Sequence, residues 1–137
     1  MGEENVAIVR AIFDSGGAES KEAMLAALPE AIPLVFDSEA EWIEAPERVD
    51  AKTYRGHDGI RESFEHWLAQ WGEYRLEVER IEDHGDQVLA VVKEYAEGQG
   101  SGASTEATVY AVFTFRDSKV IRYREFYDET AARASIV

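Results

Sequence analysis

The sequence of 137 residues predicts an α+β fold, a cone-shaped, curved, mostly antiparallel β-sheet packed on three N-terminal helices. Three observations carry this. Apolar residues recur at helical spacing through the first half. Long alternating runs separated by hairpin signals fill the second half. No linker, repeat or low-complexity tract divides the two, so 1–137 reads as one domain with helices and sheet segregated.

Val6, Val9 and Phe13, flanked by Ile8 and Ile12, place a helix over Val6–Ser15, ended at Gly16-Gly17. Ser20 opens a second helix, Lys21–Leu28, with Met24, Leu25 and Leu28 on its apolar side. Pro29 and Pro33 are expected to break regular helix beyond it. Glu39–Glu44 alternates as a short strand stopped by Pro46, and Thr53-Tyr54-Arg55 is extended. Gly56-His57-Asp58 forms a turn with His57 or Asp58 as helix cap. The third helix, Asp58–Trp71, has the clearest stripe: Ile60, Phe64, Trp67, Leu68 and Trp71, closed by Gly72. Strands follow at Tyr74–Ile81, Gln87–Tyr95, Thr105–Phe115 and Val120–Tyr127. They are separated by His84-Gly85-Asp86, the Gly98–Gly102 loop and Asp117-Ser118. A strongly curved sheet over an aromatic-faced helix leaves a conical interior, suited to an apolar small molecule.

Composition narrows the partners. Fourteen basic against 28 acidic residues give a net charge of −14, which repels phosphate backbones and anionic lipids. Neither nucleic acid nor a membrane is therefore expected as a partner. Cysteine is absent, so a thiolate nucleophile, a disulfide framework and a Cys-based metal site are excluded. The longest apolar run, Ala31–Phe36, is interrupted by Pro33 and is far short of a membrane span. The acidic MGEEN start lacks the layout of a signal peptide, and a cytoplasmic location is expected. His57, His66 and His84 show no ligand spacing, GQGSG lacks the glycine pattern of a phosphate loop, and no Gly-x-Ser-x-Gly elbow occurs. Neither a metal nor a cofactor is expected.

The order of elements, with Trp42 on a strand before Pro46, YRGHDGI opening a helix, then GDQVLAVV, GQGSGA and AVFTFRDSKVIRYREFYD, resembles a known family. It looks like the SnoaL-like (polyketide-cyclase-like) branch of the nuclear-transport-factor-two-like superfamily, which also holds ketosteroid isomerase and limonene epoxide hydrolase. The resemblance runs from about Val6 to Ala132 and implies a cystatin-like α+β roll. It does not choose a reaction, because the superfamily hosts isomerases, hydrolases, cyclases, dehydratases and non-enzymes.

Three glutamates are candidate catalytic groups. Glu44 shares a strand face with Trp42, so it would be a carboxylate in apolar surroundings, the setting of a general base. Ketosteroid isomerase carries its base directly before a Pro, where this chain has Ala45. Limonene epoxide hydrolase has a water-binding polar residue two before the Pro and an aromatic two before that, which Glu44 and Trp42 match. The other reading of Glu44 is a surface residue in an acidic segment. Arg124, Glu125, Phe126, Tyr127 and Asp128 match that hydrolase's Arg-Asp-Tyr-Phe-Asp run, which gives Glu125 the catalytic place. Tyr123, Glu125 and Tyr127 share one strand face. The other reading of Glu125 is a cross-strand ion pair. Glu94 falls on the second catalytic acid. The arginine that should stand two residues earlier, bridging and orienting the acids, is Val92. Without it two close carboxylates repel and one holds its proton. The other reading of Glu94 is an exposed residue at a strand end.

Substrate contacts are expected from Trp42, Tyr54, Phe64, Trp67, Trp71, Tyr110, Tyr123 and Tyr127, with tyrosine hydroxyls as donors to a carbonyl or epoxide oxygen. Two classes of function remain open. One is a cofactor-free acid/base enzyme acting on an apolar oxygenated molecule, of isomerase or cyclase type, with epoxide hydrolysis as a further option. The other is a non-catalytic hydrophobic-ligand-binding or accessory dimer. A homodimer through the outer sheet face is expected, since the three helices cover only one face.

Overall fold

A computed structural model describes residues 2–15, 20–49, 51–98, 100 and 103–136. Helix α1 spans Gly2–Ser15, α2 Lys21–Val35 and α3 Gly56–Leu68. Strands are β1 Phe36–Ile43, β2 Thr53–Arg55, β3 Trp71–His84, β4 Gln87–Gly98, β5 Ser104–Arg116 and β6 Lys119–Phe126. A short α4, Glu129–Ala134, follows. The six strands form one sheet in the order β2-β1-β6-β5-β4-β3. All neighbours are antiparallel except β1 and β6, which run parallel. This is the expected mixed, mostly antiparallel α+β architecture.

Local chemistry accounts for the element ends. The Ser20 side chain accepts a hydrogen bond from Ala23 N at 3.1 Å and caps α2. Met24, Leu28 and Ile32 are its buried stripe, spaced i, i+4, i+8. That stripe explains why α2 continues through Pro29 and Pro33, where the sequence predicts a break: burial outweighs the two missing donors. α3 begins at Gly56, whose φ of +76° favours glycine. His57 does not cap it, since its ring contacts Phe36 O at 2.8 Å. α3 ends at Leu68 rather than Trp71, and Trp71 and Gly72 open β3 instead. The Gly16-Gly17 stop predicted after α1 lies outside the described residues. Asp117 and Ser118 both sit at positive φ, +52° and +65°, the primed turn geometry that suits the twist of the β5–β6 hairpin.

Strand parity sorts the two sheet faces. Ala90, Val92, Ala111, Phe113, Val120 and Tyr123 join Val9, Leu28, Ile32 and Ile60 in the main core under the helices. The opposite parity, Leu89, Val91, Val112 and Phe126, packs under Ala132 of α4. α4 was not foreseen, and it covers part of the outer face. Ion pairs Arg133–Glu82 and Arg80–Glu129 join it to β3. No helix among the described residues is long and apolar enough to cross a membrane.

Candidate functional site

The helix-covered face encloses a cavity of about 440 Å³. Its walls are apolar and aromatic, with Phe36, Trp42, Phe64, Trp67 and Phe113 among them. Its polar lining comprises Glu30, Arg48, Ser63, Tyr74, Glu94, Tyr123 and Glu125. Leu34 lines it and is 72% exposed, so the cavity reaches solvent along the end of α2.

The polar end is organised around Arg48, in the turn that follows β1. Its Nε lies 2.8 Å from Glu125 Oε1, and its Nη2 donates to Glu125 Oε2 at 2.9 Å, a two-point grip. Nη1 reaches Glu44 Oε2 at 3.5 Å, and Nη2 is 3.9 Å from Glu94 Oε2. The guanidinium carbon sits 3.6 Å from the centroid of the Trp67 ring, so the cation also rests on an aromatic face. Three buried carboxyl groups thus share one guanidinium.

Other donors complete the cluster. Ala45 N donates to Glu125 Oε1 at 3.2 Å and Tyr123 Oη to Glu125 Oε2 at 3.4 Å. Tyr74 Oη donates to Glu94 Oε2. Ser63 Oγ and Lys52 N donate to Glu44 at 3.3 Å each. The Trp67 indole N–H is turned toward the Tyr74 oxygen without reaching hydrogen-bond geometry.

The environment tunes these groups. Burial pushes the Glu125 carboxyl up to about 7. Arg48 and the Ala45 N–H pull it back, and the charges of Glu94 and Glu44 add to the rise. Its proton belongs to the cluster as much as to one residue. Burial opposes charge on Arg48, yet Glu125 and Tyr127 outweigh it and hold the guanidinium firmly protonated. Tyr74 and Tyr123 are pushed well above the usual phenol range, first by burial and then by Glu94 and Glu125 respectively. Tyr127 rises to about 12 through burial and Glu94. These hydroxyls remain donors at neutral pH.

Glu94 and Glu125 line one cavity, where strand parity put Glu125 together with Glu44 and the resemblance supplied Glu94. Glu94 is buried in mid-strand and not exposed at a strand end. Trp42, Phe64, Trp67 and Tyr123 line the same cavity. Trp42 stacks on Tyr123 at 3.7 Å between ring centroids, a contact made by the parallel β1–β6 register. Five expected positions differ. Glu44 lies past the end of β1 and does not line the cavity, because its carboxyl is turned to Ser63, Lys52 N and Arg48. Tyr54 is buried beside Trp42 in the core, off the cavity wall. Trp71 packs with Leu68 and Tyr74, since its backbone is strand and leaves the helical stripe. Tyr110 has the parity of the outer face and packs against the α4 side. Tyr127 also misses the cavity wall, but its hydroxyl accepts from Arg48 Nε at 3.3 Å.

Sequence reasoning missed Arg48, Ser63 and Tyr74. The signal for Arg48 was the charge deficit itself: three acids on one interior require a cation, and Arg48 stands four residues after Glu44. No group of three His, Cys, Asp or Glu with metal-holding geometry occurs among the described residues.

A mostly antiparallel sheet closed by helices over an acid-lined cavity makes this an α+β pocket protein. The sequence profile of the SnoaL-like domain matches residues 19–123, and the chain belongs to that family. No curated protein matches the sequence. A solved structure from Jannaschia sp. CCS1, assigned as a SnoaL-like polyketide cyclase, superposes with a TM-score of 0.75 at 20% identity, covering 98% of this chain and 92% of that one. TerC, crystallised with polyporic acid, gives 0.70 at 20% identity, with 97% and 98% covered. A protein of ketosteroid-isomerase-like fold from Catenulispora acidiphila DSM 44928, in complex with trimethylamine, gives 0.68 at 12% identity, with 94% and 91% covered. At these identities the likeness is one of fold.

Proposed function

We propose that the protein is a cofactor-free acid/base enzyme acting on an apolar, oxygen-bearing small molecule, of isomerase or cyclase type. The observation that carries this is the convergence of Glu94 and Glu125 on one apolar cavity with Arg48 between them. Two structural relatives hold small organic molecules, polyporic acid in one and trimethylamine in another, which supports a small-molecule role for the cavity.

Glu125 is the base in this reading, in place of Glu44, because it lines the cavity and titrates near neutrality. Its carboxylate takes a proton from the carbon beside a carbonyl. The electron pair moves onto the carbonyl oxygen, and Glu125 returns the proton to a second carbon as the carbonyl re-forms. Arg48 keeps its charge throughout and stabilises the negative charge that develops. The aromatic walls exclude water and strengthen that interaction. Trp42, Phe64 and Phe113 provide apolar ring surface against which the body of the substrate lies.

The test is deuterium exchange. A panel of cyclic and aryl ketones in heavy water, followed by NMR, is expected to show enzyme-dependent exchange beside the carbonyl for at least one member. Its rate should climb with pH through about 7, as Glu125 loses its proton. Glu125→Gln is expected to abolish it. A folded protein that binds members of the panel and exchanges none of them is a binding protein instead. A second reading, epoxide hydrolysis, is favoured by Arg48, which occupies the bridging place between two acids that Val92 leaves empty. Incorporation of labelled water oxygen into a diol from an apolar epoxide tests it.

A further inference from the structure

The cavity's polar end is built almost wholly of acceptors that carry or can carry negative charge. Glu94 and Glu125 line it, Glu44 stands beside them through Arg48, and Glu30 lines the side nearer α2. Arg48 is the one cation paired with Glu44, Glu94 and Glu125 among the described residues. Its best geometry goes to Glu125, leaving Glu94 at 3.9 Å. The donors that converge there, Tyr74 and Tyr123 hydroxyls, Ser63 and the Ala45 and Lys52 amides, are already engaged with carboxyl oxygens. A ligand head that only accepts hydrogen bonds would have to displace one of these. A head that donates would meet open acceptor sites on Glu94, which Tyr74 holds and Arg48 reaches only at 3.9 Å, whereas Arg48, Ala45 N and Tyr123 already fill the oxygens of Glu125.

The aromatic wall serves the rest of such a ligand. Trp42 and Phe64 stand with centroids 4.8 Å apart, and Arg48 already uses the Trp67 face. These rings offer the ligand's apolar body a wall and leave its charge to the carboxyl end. The net charge of −14 raises the local concentration of cations around the molecule.

We propose that the cavity takes an apolar molecule bearing a protonated amine, whose N–H groups donate to Glu94 while its body lies against Trp42 and Phe64. This names a substrate class for the cavity and rests on the cavity being the functional site, as proposed above. The carbonyl or epoxide of the reacting part is compatible with it, because the amine supplies the head and not the reacting carbon.

Calorimetric titration of phenylpropylamine, phenylpropanol and phenylpropionate into the full chain tests it. The three share one apolar body and differ in an ammonium, a hydroxyl or a carboxylate. The amine is expected to bind tighter than the alcohol by about tenfold or more, the size of one hydrogen bond to a charged group, and the carboxylate not at all. Glu94→Gln should remove about tenfold from the amine and leave the alcohol unchanged. The wild-type comparison decides the matter even if that variant does not fold. An alcohol or carboxylate that binds as tightly as the amine overturns the ammonium proposal and leaves the cavity reading standing. If none of the three binds, both fall.

Discussion

Replacing Arg48 with Met would isolate what its charge does. Methionine keeps an apolar stem against Trp67 and removes the guanidinium, so packing changes little and the carboxyl cluster loses its cation. Breaking one side of a buried ion pair costs about 3–5 kcal/mol because it leaves uncompensated charge. For a chain of this size that corresponds to roughly 10 °C or more in Tm.

The loss must depend on pH. Arg48 is the influence that lowers the Glu125 carboxyl, so removing it drives that carboxyl above its present value of about 7. A carboxyl raised above its unfolded value favours the fold at low pH, and that contribution is lost as pH rises through the folded pKa. The Arg48→Met deficit should therefore be small at pH 5, where protons replace the cation, and near its full size at pH 8. Thermal unfolding followed by circular dichroism at both values measures it. Adding Glu125→Gln should recover part of the loss at pH 8, because one stranded charge is gone. An equal deficit at the two pH values would refute the reasoning and reduce Arg48 to a packing residue.

Three further outcomes are expected. In the wild type, Glu125 should make the protein lose up to about 3 kcal/mol as pH rises from 4.5 through 7, since burial lifts its carboxyl from 4.5 to about 7; urea titrations should show that slope missing from Glu125→Gln. Gly56→Ala should cost about 1–2 kcal/mol in the same assay, because φ is +76° and the added Cβ would sit 3.3 Å from Ser38 O; a neutral effect would contradict the left-handed start of α3. We further propose a homodimer through the part of the outer sheet face that α4 leaves uncovered. Sedimentation at micromolar concentration should give twice the chain mass of 15.4 kDa, and a monomer alone would dismiss it.

The fold was legible because its signals are periodic. Ile60, Phe64 and Leu68 repeat on α3, and alternation in β6 puts Tyr123 and Glu125 on one face, whereas the continuous apolar run of β4 gives no such signal and Glu94 came from the resemblance alone. What failed was local and had tertiary causes. Pro29 and Pro33 stop an isolated helix, but α2 is held by the buried stripe Met24, Leu28 and Ile32. Trp71 fits the helical spacing of α3, yet its backbone belongs to β3, where Tyr74 and Ala96 receive it. Tyr110 shares parity with Val112, which places it outside the cavity that its residue type alone suggests.

Arg48 is the instructive omission. The resemblance required a cation between two acids and looked for it on β4, where the chain has Val92. The physical requirement concerns where charge lies, not which strand supplies it. Two buried carboxyls on neighbouring positions of one cavity need a guanidinium within a few ångströms or a retained proton. The turn after β1 meets that requirement by a different route: the strand ends at Ile43, and Arg48 folds back over Trp67 to grip Glu125. Glu44, the acid that strand parity put forward as base, instead holds Nη1 of that arginine, and Ser63 and Lys52 N hold Glu44 in turn. The cation's position thus depends on a loop braced by a third carboxylate. Glu44→Gln is therefore expected to act through Arg48: it should lower turnover and shift the pH dependence set by Glu125, where loss of a base would abolish turnover at every pH. A pH–rate profile of Glu44→Gln separates the two. An inactive but folded variant across the whole range would return Glu44 to the place of the base.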